Sequence, residues 1–314
     1  MISQNSRVAV ILPCYNEETA IANVIAGFQA SVPHAKIYVF DNNSTDRTAE
    51  IARAAGAIVR PVLQQGKGNV MRQAFAKVDA DIYVVADGDG TYDTTCASDL
   101  VNEMTGADLD MVVGVRKHQD RASYRPGHVI GNWLFNQLVL FIYQHELRDI
   151  FSGYRVLSRA FVKSFPALAT GFETEAEMSL HAIQLKLPFR EIDTDYRPRG
   201  EGSSSKLNTF SDGFRILYFL ISMLKYVRPM YLFSIVAAFF AILSLTTGLP
   251  VVAEYLHTGL VPRFPTAIAA AALMVIATIS FVTGVLLDSV AHSLREQKRL
   301  AYLAVSTEYS RPSP

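Results

Sequence analysis

The stretch that decides the fold is Ile82-Tyr83-Val84-Val85-Ala86-Asp87-Gly88-Asp89-Gly90. Its unbroken apolar run indicates a strand that is buried on both faces of a parallel sheet. Two carboxylates follow where the strand ends, at the edge where open α/β sheets bind ligands. Neighbouring carboxylates repel each other unless a cation lies between them, and Mg²⁺ and Mn²⁺ prefer hard oxygen ligands. The hypothesis is therefore a metal–diphosphate site, and the alternative is a polar Asp-Gly turn without a ligand.

Length and composition set the outer limits. The 314 residues allow one large domain or two small ones. Lysine plus arginine and aspartate plus glutamate both number 29, so charge gives no argument for nucleic acid, and we expect no such partner. Cys14 and Cys96 are far apart in sequence, which suits free thiols in a reducing compartment. Residues 1–7 are polar and lack the apolar core of a signal peptide.

The first half of the chain alternates strands and helices around that stretch. The predicted strands are 8–12, 36–40, 57–60, 82–86 and 110–115. Two of the predicted helices are 17–30 and 66–78. Between them lies a helix that Ser44 or Thr45 would cap and Gly56 would end, and a fourth helix precedes the last strand. Such alternation is typical of a parallel sheet with helices on both faces. The fold class is therefore α/β.

Polar segments follow the first two strands, namely 13–18 and 41–46. An aspartate at a strand end can accept hydrogen bonds from a ribose or a base, although Asn and Asp are equally ordinary loop and cap residues. Gln65-Gly66-Lys67-Gly68 places backbone N–H groups and a lysine at a helix N-terminus, which suits an anion. The motif is too short for a Walker A loop, so an ATPase is not favoured.

Taken together, six motifs resemble those of family-2 glycosyltransferases with the GT-A (nucleotide-diphospho-sugar transferase, Rossmann-like) fold. The closest resemblance is to polyprenyl-phosphate sugar synthases of the dolichyl-phosphate-mannose-synthase type. The motifs are Pro13 to Glu18, Asp41 to Asp46, Gly66-Lys67-Gly68, Asp87-Gly88-Asp89, Asp149 with Ser152-Gly153-Tyr154-Arg155, and Gly200 to Leu207. The resemblance spans about residues 7–212 and implies a GT-A catalytic domain over 1–208.

The resemblance also implies a donor site. Its candidate residues are Pro13, Tyr15, Asn16, Glu17, Asp41, Asn43, Lys67, Asp87 and Gly88. Within it, Asp41 would contact the nucleotide, and Asp87 and Asp89 would hold Mg²⁺ or Mn²⁺ against the diphosphate. Where the commoner pattern has a glutamine after the second aspartate, this chain has Gly90-Thr91-Tyr92-Asp93, which leaves a third ligand open between Thr91 and Asp93.

Basic residues follow the fifth strand, between Arg116 and His128. In the family this loop closes over the donor, and its arginines engage phosphates, which points to Arg116 and Arg125. A reaction between two anionic partners needs cationic groups, and bidentate arginine suits phosphate. The alternative is a solvated charged loop. The histidines lack paired ligand spacing, which argues against zinc.

Two later segments, 149–155 and 171–177, resemble the floor of the family's sugar and acceptor pocket. A phosphate acceptor needs little help from a base because its second pKa is about 6. Asp149 and Glu175 therefore suit orientation of the sugar or acceptor, whereas Glu173 and Glu177 suit an exposed helix face. Segment 197–207 offers a phosphate clamp led by Arg199, or else a flexible Gly/Ser linker.

These residues complete two overlapping sets. The catalytic candidates are Asp89, Asp149, Arg116, Arg125 and Arg199, and the acceptor-phosphate candidates are Arg116, Arg125, Ser152, Arg199, Ser205 and Lys206.

The last third of the chain is apolar. Residues 209–229 have the periodicity of an interfacial amphipathic helix, or of a helix packed on the soluble domain. Residues 230–249 and 265–287 are long enough to span a bilayer, with a buried soluble hairpin as the alternative. Lysines and arginines flank their outer ends, which places both termini, the catalytic domain and the tail 291–314 in the cytoplasm. The small residues 269–272 permit close contacts between helices, so the sequence is compatible with a homo-oligomer.

The sequence thus predicts a multi-pass enzyme of the cytoplasmic membrane. It would move one sugar, with inversion, from a UDP- or GDP-sugar to a polyprenyl phosphate. A processive polysaccharide synthase is the first alternative, but its Gln-x-x-Arg-Trp motif is absent around the single tryptophan, Trp133. The second alternative is a catalytically inactive membrane scaffold of the same fold.

Overall fold

The computed structural model describes residues 6–118, 140, 147–169, 171, 173–197, 225 and 228–309. The chain divides into two compact units. The first consists of Met1–Lys206 together with Lys298–Pro314, and the second of Leu207–Gln297. The predicted interfacial helix, 209–229, lies almost entirely outside the described residues.

The first unit alternates strands and helices. In chain order these elements are β1 Val8–Cys14, α1 Ile21–Ser31, β2 Lys36–Asp41, α2 Thr48–Ala54, β3 Ile58–Pro61, α3 Lys67–Lys77, β4 Ile82–Val85, α4 Ala97–Gly106, β5 Met111–His118, β6 Arg155–Ser158, α5 Arg159–Ser164, α6 Glu173–Leu185 and β7 Phe189–Tyr196. The predicted strands are therefore present, each within a few residues of its predicted bounds.

The seven strands form one sheet in the order β3-β2-β1-β4-β6-β5-β7. Strand β6 runs antiparallel to both of its neighbours, β4 and β5, while the remaining pairs are parallel. The five predicted strands, β1 to β5, therefore run in one direction as predicted, and the antiparallel β6 is a strand that was not predicted. The long connection after β5 returns the chain between β4 and β5, so that β6 enters at the edge where those strands end.

This topology gathers the predicted motifs at one edge of the sheet. Strands β1, β2, β4 and β5 all end there, and β6 begins there because it runs in the opposite direction. The loops that follow β1, β2 and β4 and the loop that precedes β6 therefore meet.

Two apolar clusters hold the helices against the sheet. Alternate residues of each central strand face opposite clusters: Val10 and Val84 contribute to one, and Ile11 and Val85 to the other. All four side chains are at most 1% exposed. Each such burial contributes roughly 1.5–3 kcal/mol relative to an exposed side chain, which explains the unbroken apolar runs of β1 and β4.

The second unit is a helical hairpin, formed by α7 (Pro229–Thr258) and the start of α8 (Phe264–Tyr309). Buried residues, most of them small, recur every seven positions along each helix, and Ser244 Oγ donates a hydrogen bond of 2.7 Å to the carbonyl oxygen of Ala270. Within the described segments both helices are long and apolar enough to cross a membrane, with mean hydropathies of 2.2 and 2.3. The buried seam residues are Ala237, Ser244, Val251, Ala270, Ala277 and Gly284.

Residues 291–309, which we predicted to be a tail, continue α8, and their last part packs within the first unit. Tyr302 Oη donates to Asp110 Oδ2 at 2.8 Å. Arg299 Nη1 donates to the carbonyl oxygen of Leu185 at 2.8 Å, which satisfies an orphan carbonyl at the end of α6. Residues 298–309 are therefore part of the first unit.

Candidate active site

The two aspartates that follow β4 lie in a tight turn at the sheet edge. Asp89 Oδ1 accepts hydrogen bonds from the amide of Thr91 at 3.1 Å and from its hydroxyl at 2.6 Å. Asp87 Oδ1 forms an ion pair with the ammonium of Lys67. The turn therefore fixes the Asp89 carboxylate, whereas the Asp87 carboxylate is fixed from outside the turn by Lys67.

Gly88 separates these aspartates because no side chain fits there. A Cβ atom at this position would lie 2.3 Å from Cys14 Sγ, at the end of β1. The thiol is buried, and burial together with the nearby carboxylates raises its pKa well above the ordinary value. We predicted that Gly88 contacts the donor, and the structure gives it a packing role as well.

Lys67 begins α3 and turns its ammonium inward, to two acids. Besides Asp87, it contacts Glu175 Oε1 of α6 at 2.5 Å, and the Glu175 side chain is only 3% exposed. Burial disfavours the charged ammonium, but the two carboxylates outweigh it and raise the pKa of Lys67 above its ordinary value. Lys67, predicted to meet the donor anion, is thus bonded to protein carboxylates.

Glu175 retains one oxygen without a protein partner. Its Oε2 is buried and has no hydrogen bond among the described residues. The sequence left open whether Glu175 orients the sugar or acceptor or has no role in the site. Its contact with Lys67 places it in the site.

Arg116 and Asp149, two further predicted site residues, bind each other. The guanidinium donates from Nε to Asp149 Oδ2 at 2.7 Å and from Nη2 to Oδ1 at 2.8 Å, and it lies over the ring of Tyr196 at 5.5 Å. Burial opposes the cation, but the carboxylate of Asp149 more than compensates and raises the pKa of Arg116. Asp149 therefore fixes the orientation of Arg116.

The loops after β1 and β2 are held together by hydrogen bonds. Asn16 Oδ1 accepts from the amide of Thr45 at 2.8 Å, and the Asn16 amide donates to Ser44 Oγ at 3.0 Å. Ser44 and Thr45 therefore bridge loops, and the prediction that one of them caps α2 is wrong. The residue at the N-cap of α2 is Arg47, and Asp46, just before it, accepts through Oδ1 from the amide of Thr48 at 3.0 Å.

Glu17, which was predicted to bind the sugar donor, lies in the loop after β1, and its backbone amide donates a hydrogen bond to Thr48 Oγ1 at 2.8 Å. Tyr15 is 42% exposed, and Pro13 is half-buried. Both flank the same edge of the sheet.

Asp41 ends β2 with a buried carboxylate. Its Oδ1 has no hydrogen-bond partner in the described part of the chain, and the residue is 9% exposed. Because buried polar atoms are normally satisfied, this oxygen is a candidate ligand contact. Asn43, two residues later, adopts a positive φ of 63°, a conformation that asparagine tolerates better than most residues.

Asn42 organises this corner, a role that sequence reasoning missed. Its Oδ1 accepts from the Gly66 amide at 2.8 Å, and its Nδ2 donates to the carbonyl oxygens of Val62 at 3.2 Å and Gln64 at 2.8 Å. Asn42 thereby fixes the loop that leads to Lys67. The only signal in the sequence was an amide beside Asp41.

Ser152, a predicted phosphate contact, is bonded to other parts of the protein. Ser152 is fully buried, and its hydroxyl donates to the Gly114 carbonyl at 2.5 Å while it accepts from the Tyr154 amide at 3.3 Å. It therefore joins β5 to the loop before β6. The buried guanidinium of Arg155 stabilises the same loop, because it donates hydrogen bonds to the carbonyl oxygens of Ser152 at 2.9 Å and Ile150 at 2.8 Å.

Both candidates for a third metal ligand, Thr91 and Asp93, form hydrogen bonds with neighbouring residues. The hydroxyl of Thr91 is bonded to Asp89, and Asp93 Oδ1 accepts from the Thr95 amide at 3.1 Å. The described residues contain no group of three or more His, Cys, Asp or Glu side chains suited to a metal. Asp87 and Asp89 nevertheless fit a hard cation such as Mg²⁺ or Mn²⁺, which commonly takes one or two carboxylates and completes its shell with water and substrate phosphates.

Four predicted residues lie outside the described part of the chain, so the structure gives no account of them. They are Arg125, Arg199, Ser205 and Lys206.

Comparisons with known proteins agree with this architecture. Glycosyltransferase AglJ of Haloferax volcanii is 34% identical over 248 residues, which cover 77% of this chain and 78% of AglJ. An uncharacterized protein of Shigella flexneri is 48% identical over 153 residues, which cover 49% of this chain and 94% of that protein.

Solved structures show the same fold. Glucosyl-3-phosphoglycerate synthase from Mycobacterium tuberculosis, in complex with Mn²⁺, uridine diphosphate and glucosyl-3-phosphoglycerate, superposes with a TM-score of 0.58 at 22% identity, covering 70% of this chain and 80% of that one. The predicted GT-A fold is therefore confirmed. The model of glycosyl transferase family 2 matches residues 9–165, half of the chain, and the protein belongs to that family.

Proposed function

We propose that this glycosyltransferase moves one hexose, with inversion, from a UDP- or GDP-sugar to the phosphate of a polyprenyl lipid at the cytoplasmic membrane face. One observation carries the proposal. A family-2 catalytic unit shares its chain with two apolar helices in which only 17% of the most apolar window is buried. Helices with exposed apolar side chains favour a bilayer as their surroundings, and the bilayer is where a polyprenyl acceptor lies.

The donor end of the site would be formed by the edge of β1, β2 and β4. Asp41, whose buried Oδ1 has no partner among the residues that the structure describes, is the proposed nucleotide contact. Asp87 and Asp89 would hold Mg²⁺ or Mn²⁺, and such an ion, when bound, offsets the charge that develops on the departing diphosphate. That a fold neighbour from M. tuberculosis was crystallised with Mn²⁺ and UDP-glucose is consistent with this assignment.

The acceptor end would use Arg116. Two of its five N–H groups are committed to Asp149, which holds the planar cation in one orientation. Its remaining N–H groups are then available for a phosphate. An arginine positioned in this way offsets the repulsion between two anionic reactants without further ordering of its side chain.

In the proposed step a phosphate oxygen of the lipid attacks the anomeric carbon. A new C–O bond forms, the bond to the diphosphate breaks, and the nucleoside diphosphate leaves with its electron pair. No base is required, because the second pKa of a phosphate monoester is about 6 and the oxygen is already anionic near neutrality.

The membrane topology is part of the proposal. Lys225, Arg228, Arg295, Lys298 and Arg299 flank the outer ends of the two apolar helices. The positive-inside rule then places both termini and the catalytic unit in the cytoplasm.

The test is transfer of radiolabel to lipid. The full chain in detergent is incubated with a panel of radiolabelled UDP- and GDP-hexoses, Mn²⁺ and a short-chain polyprenyl phosphate, and the lipids are extracted. We expect label in the organic phase with one donor, and its loss in the Asp89→Ala variant. Label that stays in the aqueous phase, with 3-phosphoglycerate accepted instead, would refute the lipid acceptor.

A further inference from the structure

Lys67 has an unusual setting for a lysine beside a proposed cation site. Its ammonium is buried and lies between two acids, Asp87 and Glu175, which come from different parts of the fold. The side chain is 11% exposed, so water does little to screen these contacts. The protein has therefore placed a permanent cation on one of the two carboxylates proposed to bind the metal.

The surroundings of Lys67 are built for this close approach. A Cβ atom at Gly153 would lie 3.0 Å from both the Lys67 ammonium and Asp87 Oδ2. The Gly153 amide is in turn fixed by a hydrogen bond of 2.8 Å to Tyr92 Oη. The loop before β6 thus packs against the ion pair, and a side chain at Gly153 would push the two charged groups by a few tenths of an ångström.

We propose that Lys67 is a positioning residue that competes with the divalent ion for Asp87, held in place by Glu175. The ammonium occupies Oδ1 and cancels part of the charge on the carboxylate, so Asp87 attracts a free cation weakly. Glu175 limits the effect, because it shares the charge of the ammonium and so leaves less of that charge on Asp87. This inference rests on the proposed function, since it takes Asp87 and Asp89 as the metal ligands.

The proposal fixes the direction in which two variants change metal affinity. Lys67→Met removes the competing cation and should bind Mn²⁺ at least about tenfold more tightly. The repulsion between a unit positive charge and a nearby divalent ion exceeds about 1.4 kcal/mol even in water, and this energy corresponds to a tenfold change in affinity. Glu175→Gln frees the ammonium to pair with Asp87 alone and should bind Mn²⁺ more weakly. Lys67→Arg retains the charge and should stay near the wild type.

The measurement is Mn²⁺ titration of the full chain, with free Mn²⁺ read from its electron paramagnetic resonance signal. A purely structural role for Lys67 predicts the opposite result, weaker binding in Lys67→Met, because two buried acids would lose their partner. If that variant fails to fold, Lys67→Met/Glu175→Gln removes the buried pair together and should still bind more tightly than the wild type. Adding Asp87→Asn to either should abolish the gain.

The outcomes separate this inference from the function beneath it. Mn²⁺ binding by the wild type with UDP, but no gain in Lys67→Met or in the double variant, overturns the competition alone. An absence of Mn²⁺ binding in every variant, with or without UDP, overturns the metal assignment and this inference with it. A gain that Asp87→Asn abolishes supports both.

Discussion

Gly88→Ala should disable the enzyme through the position of the two aspartates. The added Cβ would lie 2.3 Å from Cys14 Sγ, whereas ordinary contact begins near 3.4 Å. The turn must therefore move by roughly 1 Å, and a misplacement of this size can cost about 10²-fold in turnover. Overpacking of this kind also destabilises a fold by about 1–3 kcal/mol.

A second substitution makes the prediction specific. Cys14→Ala removes the sulfur, after which the nearest atoms to the new Cβ are Ile21 Cδ1 and the Pro13 carbonyl oxygen, both at 3.5 Å. The double variant should regain most of the turnover, and Cys14→Ala alone should stay near the wild type. Sugar transfer and thermal unfolding followed by circular dichroism are measured for all four proteins. If the double variant is as impaired as Gly88→Ala, the clash is not the cause and our reading of Gly88 is wrong.

Three further predictions concern other parts of the first unit. Asp89→Ala should lower turnover by about 10²-fold or more, which is the usual cost of losing one electrostatic stabiliser. If this variant transfers sugar normally when the metal is chelated, the metal assignment is wrong. Burial lowers the pKa of His181 from 6.5 to about 3, so the folded protein resists protonation and should lose stability as the pH falls from 6.5 towards 3, by about 1.4 kcal/mol per pH unit. Chemical denaturation at several pH values checks this slope, and it should flatten in His181→Gln, which can still bond to Ser164. Tyr302→Phe should cost about 1 kcal/mol by removing the hydrogen bond to Asp110, seen as a lower unfolding midpoint, and an unchanged midpoint would show that this contact does not hold the segment.

The five predicted strands are present and run in one direction, whereas β6 was not predicted. Burial on both faces makes β1 and β4 unmistakable, because the unbroken apolar run reflects the environment of every residue in it. The direction of β6 had no such signal. Its four residues, Arg155 to Ser158, read equally well in either orientation, and only the connection that precedes them decides how they enter the sheet.

The site shows a similar division. The residues that gather at the edge of the sheet were predictable, since strand ends determine where loops meet. The pairing among them was not. Arg116 and Asp149 are 33 positions apart in the sequence, and Lys67 and Glu175 are farther apart still. Local spacing in the sequence therefore predicts neither contact. Ser152 illustrates the same limit, since a serine in a glycine-containing motif suits both a ligand and a buried bridge.

These pairings change how the charged site should be understood. A motif of acids and bases suggests side chains that wait for a ligand, yet here Asp149 locks Arg116 and Glu175 locks Lys67. Each pair is largely buried, so breaking one by removing a single partner leaves an uncompensated charge, at a cost of about 3–5 kcal/mol. Such a site is organised before any substrate arrives, and most of the ordering cost falls on folding instead of on binding. The charges thus form a fixed arrangement, and within the described part of the chain the buried carboxylate oxygens that remain without a partner, Asp41 Oδ1 and Glu175 Oε2, are where it can still accept a ligand.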